Sequence, residues 1–527
     1  MWAPFLVPAG LLQPGSNTVR LELLATGRSI DRIHVESVEL SFRSEHSARD
    51  GVALVDIAQM EGRPEAIFAD GIGDPVESPA CGSGCEQFVA GGFQSADLVA
   101  MQIVDGSPIE LVDFEVSAQG GHYTAHVRPG LRFNPNGEPL HYPVLIAERS
   151  RAAQPQVVPA LHLPHPLQGG NAELLLIVSA RFAQSVDALV SARIAEGLTV
   201  RVVEVKQIYE HYSGGIVDPD GIRRFVADAH AQLGTRYLLI VGGDTYDYFD
   251  RLGLGSISDV PTIYRATHAR VNFAPVDSEF GDVDRDGLPE VAVGRLPART
   301  SAELESMLAK VLEATPAGAR SVVIAAERSN PAERIVYRDT AESLLATLGP
   351  PWQAGASRVY LDDYAATSAG TQAARADFAS HVNSGRNLAV FIGHASPSIW
   401  SRENLIEAAS LPTILTGGSF SPVVAEFGCW GGYFVEPTYT TMNQAWLLPL
   451  GKGARAMLAS SSLTETASDE AIAKALLPRL AIPGMRLGDA LNEAKAEVWS
   501  TAPEMTDVIL GMSLFGDPTA RMTPAAE

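Results

Sequence analysis

The chain has 527 residues, of which 46% are hydrophobic and 19% charged, a globular mixture with length enough for two to four domains. A formal net charge of −23 leaves nothing to neutralise phosphates, which excludes a nucleic-acid partner. No apolar run reaches the roughly 18 residues of a transmembrane helix, so no membrane span is expected.

The first 25 residues, MWAPFLVPAGLLQPGSNTVRLELLA, lack the basic start and apolar core of a secretory signal. They read as the interior of a β-sandwich, a turn feeding an alternating strand, and we expect the sequence to begin inside a longer reading frame. Through residues 1–165 short alternating stretches recur between Gly/Pro-rich turns: Thr18–Ala25, Arg32–Ser44, Ser95–Val104, Pro108–Ala118 and His122–Gly130. A polar/apolar period of two predicts an antiparallel β-sandwich here. Cys81 and Cys85, in SPACGSGCEQF, predict a small disulfide staple of an exported protein, since no further metal ligands cluster nearby.

After the Pro/Gly-rich linker Pro159–Glu173 the texture changes. Buried strands such as LLLIVS, YLLIVGG and EVAVGRLPA alternate with helical segments, and a second series begins at Ser321 with SVVIAA, RVYLDD, NLAVFIGH, VVAEFGC and ARAMLASSS. This pattern predicts mostly parallel sheets flanked by helices, in two consecutive α/β subdomains over 171–320 and 321–527 that could share one extended core.

Two strand ends carry chemistry. Asn387–His394 (NLAVFIGH) and Val423–Cys429 (VVAEFGC) are apolar runs that stop at a reactive side chain with small residues beside it. Functional groups of open parallel sheets gather at the carboxyl ends of strands, and a Cys beside a His is what a thiol nucleophile requires. Cys429 is also left over once Cys81 and Cys85 pair.

NLAVFIGHASPSIW followed by VVAEFGCWGGYF resembles the catalytic core of gingipain-type peptidases, relatives of caspases and legumain. The likeness extends through YLLIVGGDTYDY, DVDRDGLPEVAVGRLPAR, GKGARAMLASSS and MSLFGDPTARM, over about residues 170–522. It implies a caspase-like fold and a secreted or cell-surface cysteine endopeptidase acting on proteins or peptides. Cys429 is then the nucleophile and His394 the base, with the N–H groups of Cys429 and Ala395 cradling the oxyanion. The family's further acidic residue is expected at Asp339, with Glu327 in reserve. Two departures stand out: Ala395 replaces the usual Gly, and Trp430-Gly431-Gly432 replaces a segment ending in Asn-Gly.

The family's preference for Arg or Lys before the scissile bond needs a pocket carboxylate. Asp469 and Glu465 fall in the region expected to wall that pocket, while Trp430 at its mouth would favour a small or apolar residue. Separately, Asp282, Asp284, Asp286 and Glu290, with Gly287 between, match the first part of a calcium loop, and Asp277 could add an oxygen. Position 12 is Val293, so the loop is not a full EF-hand and a structural Ca²⁺ is expected. Competing readings are a narrow-specificity self-processing peptidase and a catalytically silent scaffold on the same fold.

Overall fold

The structure is a computed structural model. It describes residues 163–523 apart from 249, 315–319 and 331–334, and before them residues 52–55, 88–104, 107–111, 114–128, 132–133, 139–140 and 144–151. The chain divides into two compact units, residues 2–159 and 160–527.

In the first unit, Val52–Val55, Leu98–Val104, Ser107–Leu111 and Val144–Glu148 form a four-stranded antiparallel sheet. Phe88–Phe93, Phe114–Gln119 and His122–Val127 form a three-stranded one. Leu98, Ala100, Val144 and Ile146 of the former and Ala90, Phe93, Ala125 and Val127 of the latter share one apolar cluster. The strands expected at 18–25 and 32–44, and the Cys81–Cys85 staple, lie outside the described residues.

The second unit is organised by one ten-stranded sheet. In chain order its strands are β1 (Leu174–Val178), β2 (Val200–Glu204), β3 (Tyr237–Val241), β4 (Ala292–Leu296), β5 (Val322–Ala326), β6 (Ala356–Tyr360), β7 (Leu388–Ile392), β8 (Val423–Phe427), β9 (Ala456–Ser460) and β10 (Met512–Phe515). Their spatial order is β2-β1-β3-β4-β10-β9-β8-β7-β5-β6. Every neighbouring pair is parallel except β9 with β10. The sheet therefore consists of two five-stranded parallel halves of opposite direction, and their carboxyl ends lie at opposite edges.

The apolar runs form these strands because helices cover both faces, so no side of the strand needs polar residues. All five residues of β1, β3, β4, β5, β7, β8 and β9 are buried. Side chains alternate between faces as the pleat demands. Val323, Ala325, Ala389, Phe391, Val424 and Met457 join one cluster, which continues through Leu174, Leu176, Leu239 and Val241 of the other half. Val322, Ile324, Leu388, Val390, Val423 and Ala425 pack on the opposite face against the helices Tyr337–Thr347, Thr466–Leu480 and Leu487–Thr501. Helix starts are capped where the sequence offers it: Thr300 accepts from the Glu303 N–H, and Thr441 forms a capping box with Gln444.

Near the seam between the halves, the fully buried Arg295 of β4 donates to both carboxylate oxygens of Asp277, at 2.6 and 2.9 Å. It also donates to the carbonyls of Gly242 and Val260, at 2.8 and 2.9 Å, and its guanidinium carbon lies 4.9 Å from the centre of the Phe434 ring. Removing one partner of a buried ion pair leaves an uncompensated charge, at a cost of about 3–5 kcal/mol. Asp277→Ala should lower the stability of the second unit by that amount in denaturant unfolding, and an unchanged midpoint would show that the pair contributes nothing net.

Candidate active site

Four neighbouring strands of the second half end side by side, and each delivers one residue to the same place. β5 runs into Glu327, β7 into Gly393 and His394, β8 into Gly428 and Cys429, and β9 into the loop carrying Thr464. Ala326 is level with Ile392, and Ile392 with Phe427. His394 and Cys429 each lie two residues beyond that last pair, on neighbouring strands about 4.8 Å apart. The glycines permit the approach. A Cβ on Gly393, whose φ is +152°, would stand 2.5 Å from the Cβ of Glu327, and one on Gly428 would stand 2.4 Å from the Gly393 carbonyl oxygen.

His394 is tightly held. Its Nδ1 lies 2.8 Å from Oε2 of Glu327, which is 2% exposed. The same carboxylate accepts from the backbone N–H groups of His394 and Arg402. The Tyr337 hydroxyl stands 3.0 Å from Nδ1, its ring edge-on to the imidazole. On the other side, the exposed Arg402 donates to Nε2 at 2.8 Å. A guanidinium has only donors, so Nε2 must accept and the ring proton sits on Nδ1, facing Glu327. That is the tautomer a general base at Nε2 needs. Asp339, expected to orient His394, lies exposed in the first turn of Tyr337–Thr347. That turn brings Tyr337 to the imidazole, while the carboxylate at Nδ1 is Glu327, the residue held in reserve.

Cys429 is half-buried, and its sulfur faces Thr464: the backbone N–H and Oγ1 of Thr464 lie 3.5 and 3.6 Å from Sγ, and Sγ lies 3.5 Å from the Thr464 carbonyl oxygen. Burial pushes the thiol pKa up to about 11, the charges of Asp469 and Glu426 push the same way, and the Thr464 hydrogen bonds oppose them. Ala395 pairs with Trp400 in a short hairpin whose ladder bond runs from the Ser401 N–H to the His394 carbonyl. The N–H of Ala395 therefore points away from the hairpin, and its nitrogen lies 3.6 Å from where a Cβ on Gly428 would be. Ala395 does not have a positive φ, so its methyl group is no strain; Ser401 of the same hairpin and Trp430 after the cysteine do lie in the left-handed region, both at +65°. Trp430 is held there by its N–H to the Ser462 carbonyl, at 2.8 Å, and by its ring edge-on to Tyr433.

The expected pocket carboxylates differ from each other. Asp469 is 5% exposed and points at Thr464, whose Oγ1 lies 2.9 Å from its Oδ2, so it stands behind Cys429 and not in an open pocket. Its position in the first turn of Thr466–Leu480, packed inward, is the reason. Glu465 is exposed and meets Nε2 of His268 at 3.1 Å. Glu426 is fully buried on β8 and accepts from the Trp400 indole N–H at 2.6 Å.

In the acidic loop, one oxygen each of Asp282, Asp284 and Glu290 lie within 4.8 Å of one another. Asp286 turns into the loop backbone instead, its Oδ1 accepting from the Leu288 N–H at 2.8 Å. Asp277 belongs to Arg295 and to the Thr262 hydroxyl, at 2.7 Å, and is not a member of the loop's oxygen cluster. Gly242–Tyr248 follows β3, at the carboxyl edge opposite that of β7 and β8, and Asp244 is spent on the Ser258 hydroxyl and the Thr262 N–H.

Sequence reasoning passed over Thr464, Tyr337 and Arg402. Glu327 did carry a signal, since SVVIAAE is an apolar run stopping at a reactive side chain, as are the runs before His394 and Cys429.

The sequence model of peptidase family C25 matches residues 168–523. No curated protein matches the sequence. Among solved structures, the chain is similar to the complex of Porphyromonas gingivalis RgpB pro- and mature domains, at 17% identity and a TM-score of 0.53, covering 66% of this chain and 79% of that one. It is also similar to the Arg-specific cysteine proteinase gingipain R, at 18% identity and a TM-score of 0.53, covering 68% and 80%. At such identities the likeness shows the fold, a gingipain-like, mostly parallel sheet flanked by helices.

Proposed function

The chain belongs to peptidase family C25, and we propose that it is a cysteine endopeptidase with Cys429 as nucleophile, His394 as base and Glu327 as the carboxylate that orients the base. The observation that carries this reading is the contact of Glu327 with His394 Nδ1 on the strand ends beside Cys429, which leaves Nε2 as the basic nitrogen.

Burial favours the neutral thiol, so proton transfer accompanies attack instead of preceding it. The Cys429 proton passes to His394 Nε2 as Sγ bonds to the substrate carbonyl carbon. The resulting oxyanion is cradled by the N–H groups of Cys429 and Ala395. Collapse breaks the C–N bond, and the leaving amine takes the proton from Nε2. Water, giving a proton to the same nitrogen, then hydrolyses the thioester and releases the thiol. Glu327 stabilises the imidazolium in both halves. Arg402 must leave Nε2 before the first transfer, which its exposed position allows.

The substrates are proteins or peptides, and a secreted or cell-surface location follows from the family resemblance. No described helix is long and apolar enough to cross a membrane. The two antiparallel sheets of the first unit, sharing one apolar cluster, are read as a β-sandwich. A preference for Arg or Lys falls to Glu465, the exposed carboxylate next to Thr464. The oxygens of Asp282, Asp284 and Glu290 fit a hard cation such as Ca²⁺, which would supply structural crosslinking and no step of the reaction.

Cys429→Ala and His394→Ala should each abolish cleavage of a peptide library while the protein remains folded, the double variant being no worse than either. Glu327→Gln should lower kcat by about 100-fold or more. Labelling of Cys429 by a thiol reagent without any cleavage would instead favour a silent scaffold.

Glu465→Gln should slow cleavage after Arg or Lys by about tenfold, the value of one lost charged hydrogen bond, without slowing alkylation of Cys429 by a small reagent. Equal loss for all substrates would remove Glu465 from the pocket.

Millimolar Ca²⁺ should raise Tm by mass action, and Asp284→Ala should remove most of the rise. Identical melting in calcium and in chelator would dismiss the site.

A further inference from the structure

Thr464 and Asp469 lie in line behind the nucleophile. Thr464 Oγ1 is 3.6 Å from Cys429 Sγ on one side and 2.9 Å from Asp469 Oδ2 on the other, and the Thr464 N–H is 3.5 Å from Sγ. A threonine hydroxyl has one proton, so it can donate to the sulfur or to the carboxyl group but not to both. Which it serves depends on whether Asp469 carries a proton.

The surroundings of Asp469 decide this. Its second oxygen, Oδ1, is buried without a hydrogen-bond partner among the described residues. An ionised carboxylate has about four lone-pair sites to satisfy, and a buried orphan oxygen is costly. The charged groups acting on Asp469 are Glu465 at the start of its own helix and Asp507 of the segment Thr506–Ile509, both acidic, with Glu426 of β8 coupled to it across the site. Glu465 faces His268, and Asp507 accepts from the Glu465 N–H at 2.8 Å. Burial and these neighbours hold the Asp469 pKa well above the usual carboxylate range.

We propose that Thr464 and Asp469 are positioning residues for Cys429: a protonated Asp469 donates from Oδ2 to Thr464 Oγ1, which turns the hydroxyl proton toward Sγ. Together with the Thr464 N–H it gives the sulfur two donors as negative charge develops there, while the thiol proton goes to His394. No proton is transferred along the line; it fixes direction only. Asp469 is thus assigned away from substrate recognition. The proposal rests on the reading of Cys429 as nucleophile.

The test is the pH profile of iodoacetamide alkylation, read at the Cys429 peptide by mass spectrometry, with peptide cleavage measured in parallel. Thr464→Val, nearly isosteric, should raise the apparent thiol pKa by about one unit and slow alkylation about tenfold at a fixed pH below it. Thr464→Ser should recover most of the loss. Asp469→Leu should slow alkylation by about threefold, and Asp469→Asn, which keeps a donor in place, should reverse that. If Asp469 is ionised, both of its substitutions remove a negative charge and accelerate alkylation, and Thr464→Val has no effect; either result overturns the relay. Should Thr464→Val not fold, the sign of the Asp469 effects alone decides. Peptide cleavage by a wild type whose Thr464→Val alkylates normally would sink the relay alone. The predicted alkylation pattern in a protein that cleaves no peptide would sink the peptidase reading and leave the relay standing.

Discussion

Arg295 is fully buried on β4, one strand from where the two halves of the sheet meet, and most of its donors are spent on holding other segments in place. One side of the guanidinium grips Asp277, the other draws in the carbonyls after β3 and before Thr262, and its carbon lies against Phe434. Phe434 stands five residues beyond Cys429. A charge desolvated to this degree tolerates little displacement. It therefore anchors the segment that follows Cys429 to the half of the sheet that supplies neither Cys429 nor His394. Trp430, in a conformation that a bulky side chain disfavours, is tied down between that anchor and the end of β8.

The electrostatics around Cys429 are unusual for the nucleophile it is proposed to be. Low thiol pKa values arise from cationic neighbours or helix N-termini. Here burial and two nearby carboxyl groups push the Cys429 thiol pKa up, and a guanidinium donates to Nε2 of His394. Burial thus favours the neutral thiol, the less reactive form of the sulfur. In the proposed mechanism the burden of activation falls on the arrival of substrate, which must displace Arg402 and offer a carbonyl to receive the charge.

Much of this was legible in the sequence, and the illegible part has physical reasons. VVIAA, LAVFI, VVAEF and AMLAS are readable as strands since a sheet covered on both faces needs continuous apolar runs. His394 and Cys429 are readable because each run stops at them beside glycine. The direction of the strands is not readable: local sequence specifies that a segment is extended, while the reversal at β10 is a property of long connections. Strand order hides in the same way. Glu327 reaches His394 because β5 lies beside β7, with β6 sent to the edge, whereas Asp339, expected from position and family likeness, lies exposed in the first turn of its helix. Asp277 stood close enough to the acidic loop to be grouped with it, and only the fold reveals that Arg295, 18 residues on, claims it. Thr464 touches the sulfur from a loop 35 residues later, a contact with no local signature.

The strand that joins the two halves, β10, comes after every other strand of the sheet in the sequence, yet it lies between β4 and β9. A growing chain can build the Cys429 half as a parallel stack while its side against β4 is still an open edge with unpaired amides. Closure waits for Met512–Phe515. Until then the Ser460–Thr464 loop lacks its tie from Ser461 to Gly511, and the partner that holds the sulfur is unsupported. A nascent chain of this design carries Cys429 for some 80 residues of synthesis before the strand that supports its surroundings is made. The loop that holds the sulfur is thus completed only by the last strand of the sheet.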